Sequence, residues 1–218
     1  PLVQGAVGMK ICRKEFLSEI VRMFKESGII VIFDEVMTGF GRTGKMFASD
    51  FIKEQPDIMC LAKSLTGGFI PLAATVFSEQ IHREFVAMDF KKTFLHGHTF
   101  SANPVACSAA LTSLKLFDED KTFKKIKLIN KIHLEFLNEL SRNSNVSKVR
   151  ILGTIAAFDY QKVSNVYGSS ESLLLRQKFL ENGLLLRPIG NTIYLMPPYC
   201  IQEKILKQSY EKLIEILQ

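Results

Sequence analysis

The chain has 218 residues and 47% hydrophobic content, which is enough to bury a sizeable core and excludes a disordered chain. The net charge of +6 would suit a nucleic-acid partner, but apolar residues interrupt the richest basic run, KTFKKIK at 121–127, so we expect no nucleic-acid binding. The four cysteines lack CxxC spacing and no apolar run approaches a membrane span, so we expect reduced core thiols, a cytoplasmic location and no membrane partner.

The N-terminal region predicts a loop and then a helix that covers a sheet. PLVQGAVGM, residues 1–9, is glycine-rich and indicates a loop. From Lys14 onward, apolar residues recur at helical spacing with charged residues between them. Gly28 follows this pattern at the position where glycine commonly ends a helix. We therefore predict an amphipathic helix that ends just before Gly28.

Two short apolar runs follow, and each ends in a polar group. GIIVIF at 28–33 is followed by Asp34, and PDIMCLA at 56–62 is followed by Lys63. Both runs are typical of buried strands, and the residues between them suffice for a right-handed crossover, which makes the strands parallel. Because ligands of open α/β sheets bind at the carboxyl edge, we predict that Asp34 and Lys63 face one crevice.

An acid and a lysine at neighbouring strand ends suit pyridoxal phosphate chemistry. Lysine supplies the primary amine that bonds the cofactor's aldehyde, and a carboxylate beside the pyridine nitrogen keeps that nitrogen protonated. Strand ends also carry acids and lysines because loops are solvated. The spacing alone therefore leaves a cofactor site and a solvated edge as alternatives.

Two glycine-rich segments flank this predicted crevice. TGFGRTG at 38–44 permits a tightly folded loop, in which Arg42 is either a solvated charge or a ligand for a substrate carboxylate. After Lys63, SLTGGFI is too short for a crossover. Residues 71–78 are therefore predicted to return antiparallel beside the Lys63 strand, which gives a mixed sheet.

The segment HGHTF at 96–100 raises the question of a metal site. Its two histidines are separated by one residue, but zinc needs more ligands and no acid or cysteine cluster lies nearby, so we expect no metal. Asn103 and Pro104 form a good N-cap and first-turn pair. They predict a helix that runs through Leu116.

The composition changes after residue 117, so we divide the chain into domains at 1–117 and 118–218. The second domain begins with a long amphipathic helix, on which His133 lies near the polar side, as a surface histidine would. The elements predicted after it are a strand at 146–160, a helix ending at Gly183, two strands joined by a turn at Gly190 and Asn191, and a helix at 202–217.

Four segments resemble successive signatures of the class III aminotransferases, which are fold type I enzymes. The segments are FDEVMTGFGRTG (33–44), KSLTGGFIPLAAT (63–75), HGHTFSANPVACSAAL (96–111) and RPIGNTIYLMPPY (187–199). The last three are most similar to the biotin-biosynthesis branch of the family. One such motif is weak evidence, but four in order are strong. The likeness covers about the C-terminal half of a family member.

The resemblance implies an α/β fold, with part of the mixed sheet of a fold type I PLP-transferase followed by a small α+β C-terminal domain. It implies pyridoxal 5'-phosphate as the cofactor and a homodimer with shared active sites. The implied reaction is the amination of 8-amino-7-oxononanoate to 7,8-diaminononanoate with S-adenosylmethionine as the amino donor. The missing half would carry the rest of the site, so we expect this chain alone to be inactive.

The resemblance also assigns roles to individual residues. Lys63 would be catalytic, since it holds the cofactor and then moves the substrate proton. The cofactor-binding residues implied are Asp34, Lys63, Thr99 and His98, with Thr99 serving the cofactor of the partner subunit, and the substrate-binding residues implied are Arg187, Arg42 and Gly97. Arg187 ends the run LLLR before a proline, and its fork suits bidentate binding of a carboxylate. An ion pair with Glu35 is the alternative for Arg42.

Two other functions stay open at this point. One is a class III aminotransferase that uses another ω-amino donor. The other is a non-catalytic remnant of a broken gene. The identity of the amino donor separates the first from the biotin-pathway reaction, and the presence of an upstream half separates the second.

Overall fold

The computed structural model describes residues 1–86 and 88–218. The chain divides into two compact units. Unit 1 consists of Pro1–Leu2, Cys12–Phe40 and Lys45–Asp120, and unit 2 consists of Val3–Ile11, Gly41–Gly44 and Lys121–Gln218. The break after Asp120 lies near the predicted domain boundary at 117/118. The segments Val3–Ile11 and Gly41–Gly44, which were predicted in the first domain, belong to unit 2.

The helices and strands are numbered in chain order. The strands are β1 (Val3–Gln4), β2 (Lys10–Ile11), β3 (Ile32–Asp34), β4 (Ile58–Leu61), β5 (Ala74–Phe77), β6 (Val146–Leu152), β7 (Ile155–Tyr160) and β8 (Thr192–Leu195). The α-helices are α1 (Lys14–Glu26), α2 (Glu79–Phe85), α3 (Pro104–Glu119), α4 (Thr122–Leu140), α5 (Ser170–Glu181) and α6 (Glu203–Leu217). Short 3-10 helices span Ala48–Phe51, Lys63–Thr66 and Phe90–Lys92.

Helix α1 covers one side of the unit 1 sheet, as predicted. Its Val21 is buried in a cluster with Val31 and Phe33, because the apolar stripe of the helix faces the sheet. The helix ends where the sequence predicted. Gly28 takes a positive φ of 70°, and the Ile29 N–H donates to the Phe24 carbonyl, which closes the last turn.

The sheet of unit 1 has the order β3-β4-β5. Strand β3 runs parallel to β4 with Asp34 opposite Cys60, and β5 runs antiparallel to β4 with Val76 opposite Met59. Both predicted directions are confirmed. Strand β3 is shorter than predicted: its register with β4 begins at Ile32, and before it Val31 contributes a carbonyl that accepts from the Asp57 and Ile58 N–H groups.

Helix α3 begins at the predicted cap. The Asn103 side chain accepts hydrogen bonds from the Val105 and Ala106 N–H groups, and Pro104 occupies the first turn. The helix continues to Glu119, beyond the predicted end at Leu116.

The sheet of unit 2 has the order β6-β7-β8, and its neighbouring strands are antiparallel. The prediction of one strand over 146–160 was wrong, since β6 and β7 form a hairpin that turns at Gly153. Gly153 has a φ of 59°, and a Cβ added there would lie 2.2 Å from the Thr43 carbonyl carbon. The apolar residues on both sides of this turn concealed it in the sequence.

A second correction concerns the strand pair around Gly190. Only β8 forms a regular strand, while residues 183–188 have no strand structure and Ile189 pairs with Thr192 as an isolated bridge. Pro188 explains the irregularity, because proline has no N–H to donate to a sheet.

The core of unit 2 is large and closed. All six residues of β7 are buried, and helices α4, α5 and α6 contribute side chains to the same apolar cluster. Phe158, Phe179, Tyr210 and Leu213 in this cluster are 0% exposed. Burying one large apolar side chain contributes about 1.5–3 kcal/mol, so this cluster is the main source of stability of the unit.

The prediction that His133 is a surface residue was wrong. His133 lies on α4 and is 0% exposed, because Tyr210 of α6 packs edge-on against its ring. The periodicity of α4 alone does not reveal that α6 packs over the side of α4 that carries His133.

The cysteines are free thiols, as predicted, but the core placement was wrong. Cys12, Cys60 and Cys107 are half-buried and Cys200 is exposed. Cys60 lies on β4, of which only Leu61 is fully buried, because the sheet of unit 1 is incompletely covered. None of the helices in the described part of the chain is long and apolar enough to span a membrane.

Candidate active site

Lys63 lies directly beyond the carboxyl end of β4. The strand ends at Leu61, and Lys63 opens a single 3-10 turn with a positive φ of 43°. A residue with a side chain pays of order 1–3 kcal/mol for a sparsely populated backbone conformation, and such residues cluster at functional sites. The turn then ends with Gly67 at φ 64° and Gly68 at φ 81°, values that favour glycine.

A cavity of about 1010 Å³ opens beside this turn in unit 1. Lys63 and His98 both line it, together with residues 70–73 and 100–103. The Lys63 side chain is exposed, and no other residue in the described chain engages its amine by a hydrogen bond or an ion pair. The amine is therefore free to react with a group placed in the cavity.

Asp34 ends β3 at the same edge of the sheet. It lies opposite Cys60, three positions before Lys63 along β4, so parallel pairing brings both strand ends together. Asp34 is exposed, and its Oδ1 accepts a hydrogen bond of 3.0 Å from the Val36 N–H. Asp34 is not among the residues that line the cavity with Lys63.

Glu35, the next residue, is buried and shapes the loop that follows. Its carboxylate accepts hydrogen bonds from Thr38 Oγ1 at 2.5 Å, from the Ala48 N–H at 3.1 Å and from the Ser49 N–H at 2.7 Å. Successive side chains of an extended chain point to opposite faces, so the adjacent residues Asp34 and Glu35 lie in different environments. Glu35 anchors the loop from the inside, and Asp34 remains exposed at the sheet edge.

The turn at 96–103 is held by the side chain of His98. The Phe100 N–H donates to His98 Nδ1 at 3.2 Å, and the His98 N–H donates to Ser101 Oγ at 3.1 Å. Because Nδ1 accepts a hydrogen bond, the neutral ring carries its proton on Nε2. Thr99 and Gly97 are exposed in this turn and do not line the Lys63 cavity. Within residues 1–86 and 88–218, no three His, Cys, Asp or Glu side chains are grouped as a metal site requires.

Arg42 lies in unit 2 and is firmly held. Its Nη1 donates to Thr154 Oγ1 at 3.0 Å and to the Pro197 carbonyl at 2.9 Å, and its guanidinium carbon lies 4.6 Å from the centre of the Tyr199 ring. Burial lowers the pKa of Arg42, and Tyr199 opposes that change. An arginine remains charged in either case. Within unit 2, Arg42 therefore bonds to a hydroxyl and a carbonyl oxygen.

Arg187 borders a smaller cavity of unit 2, of about 400 Å³. The cavity is also lined by residues 183–186, Tyr194 and Pro197. Arg187 is exposed, and no residue of the described chain pairs with its guanidinium. Pro197 therefore adjoins both arginines, since its carbonyl accepts from Arg42 and it also lines the cavity beside Arg187.

The structure groups the predicted residues into sets. Lys63 and His98 share a cavity in unit 1, and Arg42 and Arg187 both adjoin Pro197 in unit 2. No local sequence pattern indicated Thr154 and Pro197, which are 112 and 155 positions from Arg42. Contacts over such separations leave no local pattern.

Comparison with known proteins gives consistent matches. The family described as "Aminotransferase class-III" matches residues 1–217. The adenosylmethionine-8-amino-7-oxononanoate aminotransferase of Synechococcus elongatus is 42% identical over 217 residues, which cover 100% of this chain and 51% of the relative. The enzyme of the same name from Helicobacter pylori is 38% identical over 222 residues, with 100% and 50% coverage.

A solved structure supports the same grouping. The crystal structure of adenosylmethionine-8-amino-7-oxononanoate aminotransferase from Methanocaldococcus jannaschii matches with a TM-score of 0.89 and 35% identity. The match covers 99% of this chain and 52% of that one. The chain thus spans about half the length of the curated relatives it matches.

Proposed function

The chain belongs to the class III aminotransferases, and from that premise we propose that it supplies the C-terminal half of an enzyme that aminates 8-amino-7-oxononanoate. The amino donor in this proposal is S-adenosylmethionine and the product is 7,8-diaminononanoate. The names of the relatives support the substrate. The predicted α/β fold with a mixed sheet is confirmed, and the family uses pyridoxal 5'-phosphate.

The residues of unit 1 fit this cofactor. The observation that carries the proposal is the placement of Lys63, whose unpaired amine faces a cavity at the end of β4, beside the strand that ends in Asp34. The cofactor needs a primary amine for its aldehyde and a carboxylate for its pyridine nitrogen. Lys63 and Asp34 supply these two groups from neighbouring parallel strands.

We assign a role to each of these residues. Pyridoxal phosphate supplies, when bound, an electron sink for the substrate carbon that loses its proton. The Lys63 amine would hold the aldehyde of the cofactor, and its Nζ would move the proton of the substrate carbon. The Asp34 carboxylate keeps the pyridine nitrogen protonated. A protonated nitrogen strengthens electron withdrawal, so this contact acts on the rate rather than on binding alone.

The remaining assignments concern anionic groups. Arg187 binds a substrate carboxylate through its planar fork, and Arg42 contributes a second guanidinium. Thr99, with the backbone around His98 and Gly97, binds the cofactor phosphate of a partner subunit. Exposure of this turn is compatible with that task, since a residue that serves another copy of the chain must lie at the surface. The assembly that we propose is a homodimer, located in the cytoplasm.

Chemical trapping tests the proposal. The chain, joined to an N-terminal half like that of its relatives, is incubated with pyridoxal phosphate, treated with borohydride and mapped by peptide mass spectrometry. We expect the pyridoxyl group on Lys63 and its loss in the Lys63→Ala variant. Labelling of Lys45 or Lys91 in place of Lys63 would refute the assignment.

The same protein identifies the amino donor. Conversion of the cofactor from its pyridoxal to its pyridoxamine form is followed by absorbance after addition of S-adenosylmethionine or of a simple ω-amino acid. We expect conversion with S-adenosylmethionine. Conversion by the ω-amino acid alone would instead support a different class III aminotransferase.

A further inference from the structure

We propose that His133 and Tyr210 are positioning residues for Arg42 and that they act through Thr154. The inference rests on the proposed function in one respect, which is that Arg42 meets the carboxylate of a substrate. The groups involved lie in unit 2 and are connected by hydrogen bonds, each with a defined donor.

The first link joins His133 to Thr154. His133 Nε2 lies 3.1 Å from the Thr154 carbonyl oxygen, and Nδ1 lies 2.7 Å from the Tyr210 hydroxyl. A carbonyl only accepts, so Nε2 carries the proton and Nδ1 accepts from Tyr210. Burial lowers the pKa of His133 to about 4, which keeps the ring neutral and this donor order fixed near neutral pH.

The second link joins Thr154 to both the backbone and the side chain of Arg42. The Thr154 N–H and hydroxyl donate to the Arg42 carbonyl at 3.0 and 3.2 Å, and Thr154 Oγ1 accepts from Arg42 Nη1 at 3.0 Å. Thr154 is 0% exposed, so water does not compete for these bonds. A shift of the Thr154 backbone would therefore carry Arg42 with it.

The third step concerns the part of Arg42 that stays free. Nη1 is used twice, by Thr154 and by the Pro197 carbonyl, and the Tyr199 ring covers the guanidinium. The Nε and Nη2 groups of Arg42 have no hydrogen-bond partner in the described part of the chain. These two N–H groups lie along one edge of the fork, which is the geometry that binds a carboxylate bidentately. The network thus holds Nη1 in place and leaves the Nε and Nη2 edge of the guanidinium available to a carboxylate.

Two substitutions at one position separate positioning from packing. The His133→Gln variant retains an N–H donor near the place of Nε2, whereas His133→Leu fills the space without a donor. Both remove the imidazole, so a purely steric role would affect them alike. Tyr210→Phe is a milder variant, since it loses only the hydroxyl and keeps the ring, which stacks on Phe136 with centres 4.9 Å apart.

The kinetic test uses the chain joined to an N-terminal half of its relatives. We expect His133→Leu to raise the KM for 8-amino-7-oxononanoate about tenfold with kcat changed less than about twofold, as for a weakened charge-assisted bond. His133→Gln should recover most of the loss. With the methyl ester of the substrate, which has no carboxylate charge, the variants and the parent should not differ. Equal impairment of the Leu and Gln variants, or an equal effect on the ester, would overturn the proposal.

A structural readout keeps the inference independent of the reaction. If the parent enzyme turned over neither substrate, the proposed function would fail, and crystal structures of the variants would still test the positioning. We expect the bond between Arg42 Nη1 and Thr154 Oγ1 to break in His133→Leu and to persist in His133→Gln. Should His133→Leu not fold, Tyr210→Phe replaces it, with a displaced Arg42 expected. An unmoved Arg42 would refute the proposal.

Discussion

Strand β7 of unit 2 buries all six of its residues, whereas strand β5 of unit 1 exposes three of its four. Both strands are apolar in sequence, so their composition does not explain the difference. Strand β7 lies between two other strands of its sheet and belongs to a closed apolar cluster, whereas β5 pairs only with β4 among the described strands.

The same contrast holds for other side chains of unit 1. Ile32 in β3 is 59% exposed, Val76 in β5 is 54% exposed and Phe69 in the turn after Lys63 is 85% exposed. Strands of parallel and mixed α/β sheets are normally covered on both faces, and their sequences are apolar for that reason. The relatives are about twice as long as this chain. The comparison teaches that β7 is enclosed by the core of unit 2, whereas the strands of unit 1 leave apolar side chains exposed.

The largest expected effect is on activity. We predict that the 218-residue chain alone shows no amino transfer and that addition of an N-terminal half of its relatives restores it by at least about a thousandfold. The reason is that unit 1 carries Lys63 and Asp34 but exposes the faces that fix them in place. The assay is the change in cofactor absorbance on addition of amino donor. Turnover by the chain alone would break the contrast between the units.

The next effect concerns the exposed carboxylate of unit 1. In the joined protein, Asp34→Asn should retain the cofactor and lose at least about a hundredfold in kcat, because the amide does not hold the pyridine nitrogen protonated. The control is Asp118→Asn, which changes an exposed acid on α3. Near-normal turnover of Asp34→Asn would mean that Asp34 does not contact the pyridine.

Substitutions of apolar residues test the contrast between the two units through the free energy of unfolding. Phe158→Ala in unit 2 should cost about 3–5 kcal/mol of unfolding free energy, since it empties a fully buried site. Ile32→Ala in unit 1 should cost less than about 1 kcal/mol, since that side chain is mostly exposed. The free energy of unfolding of each variant is measured by urea denaturation, with proteolysis used to detect the unfolding of each unit. Similar losses at the two positions would show that unit 1 is as well packed as unit 2.

The smallest effect is a pH dependence in unit 2. The pKa of folded His133 is lowered by burial to about 4 from its ordinary value of 6.5, so the unfolded chain binds the proton first. Stability is therefore present above about pH 6.5 and falls as the pH drops toward 4, by about 2.5 kcal/mol near pH 4.5. Urea midpoints near pH 7 and 4.5 should differ more for the parent chain than for His133→Gln. Equal differences would contradict a neutral buried ring.

Local chemistry was predictable from the sequence. The cap at Asn103, the helix end before Gly28 and the parallel pairing of β3 with β4 follow from capping groups, glycine and strand length, and all three were confirmed. The turn at Gly153 was missed, because the need for glycine there arises from the close approach of the backbone of residues 42–44, which are distant in sequence.

The site shows the same limit. The positions of Lys63 and Asp34 at strand ends could be read from the apolar runs, but the burial of His133 depends on Tyr210, 77 positions away. The partners of Arg42 are farther still. Such contacts are set by tertiary packing, which single-helix or single-strand periodicity does not encode.

Hydrogen exchange followed by mass spectrometry tests the central claim most directly, which is that the exposed sheet of unit 1 is less stable than the buried sheet of unit 2. The 218-residue chain is measured alone and joined to an N-terminal half of its relatives. We predict that alone the amides of β6, β7 and α4 exchange slowly while those of β3, β4 and β5 exchange fast, and that joining the halves protects unit 1 and leaves unit 2 unchanged. Slow exchange of β3, β4 and β5 in the chain alone would contradict this account.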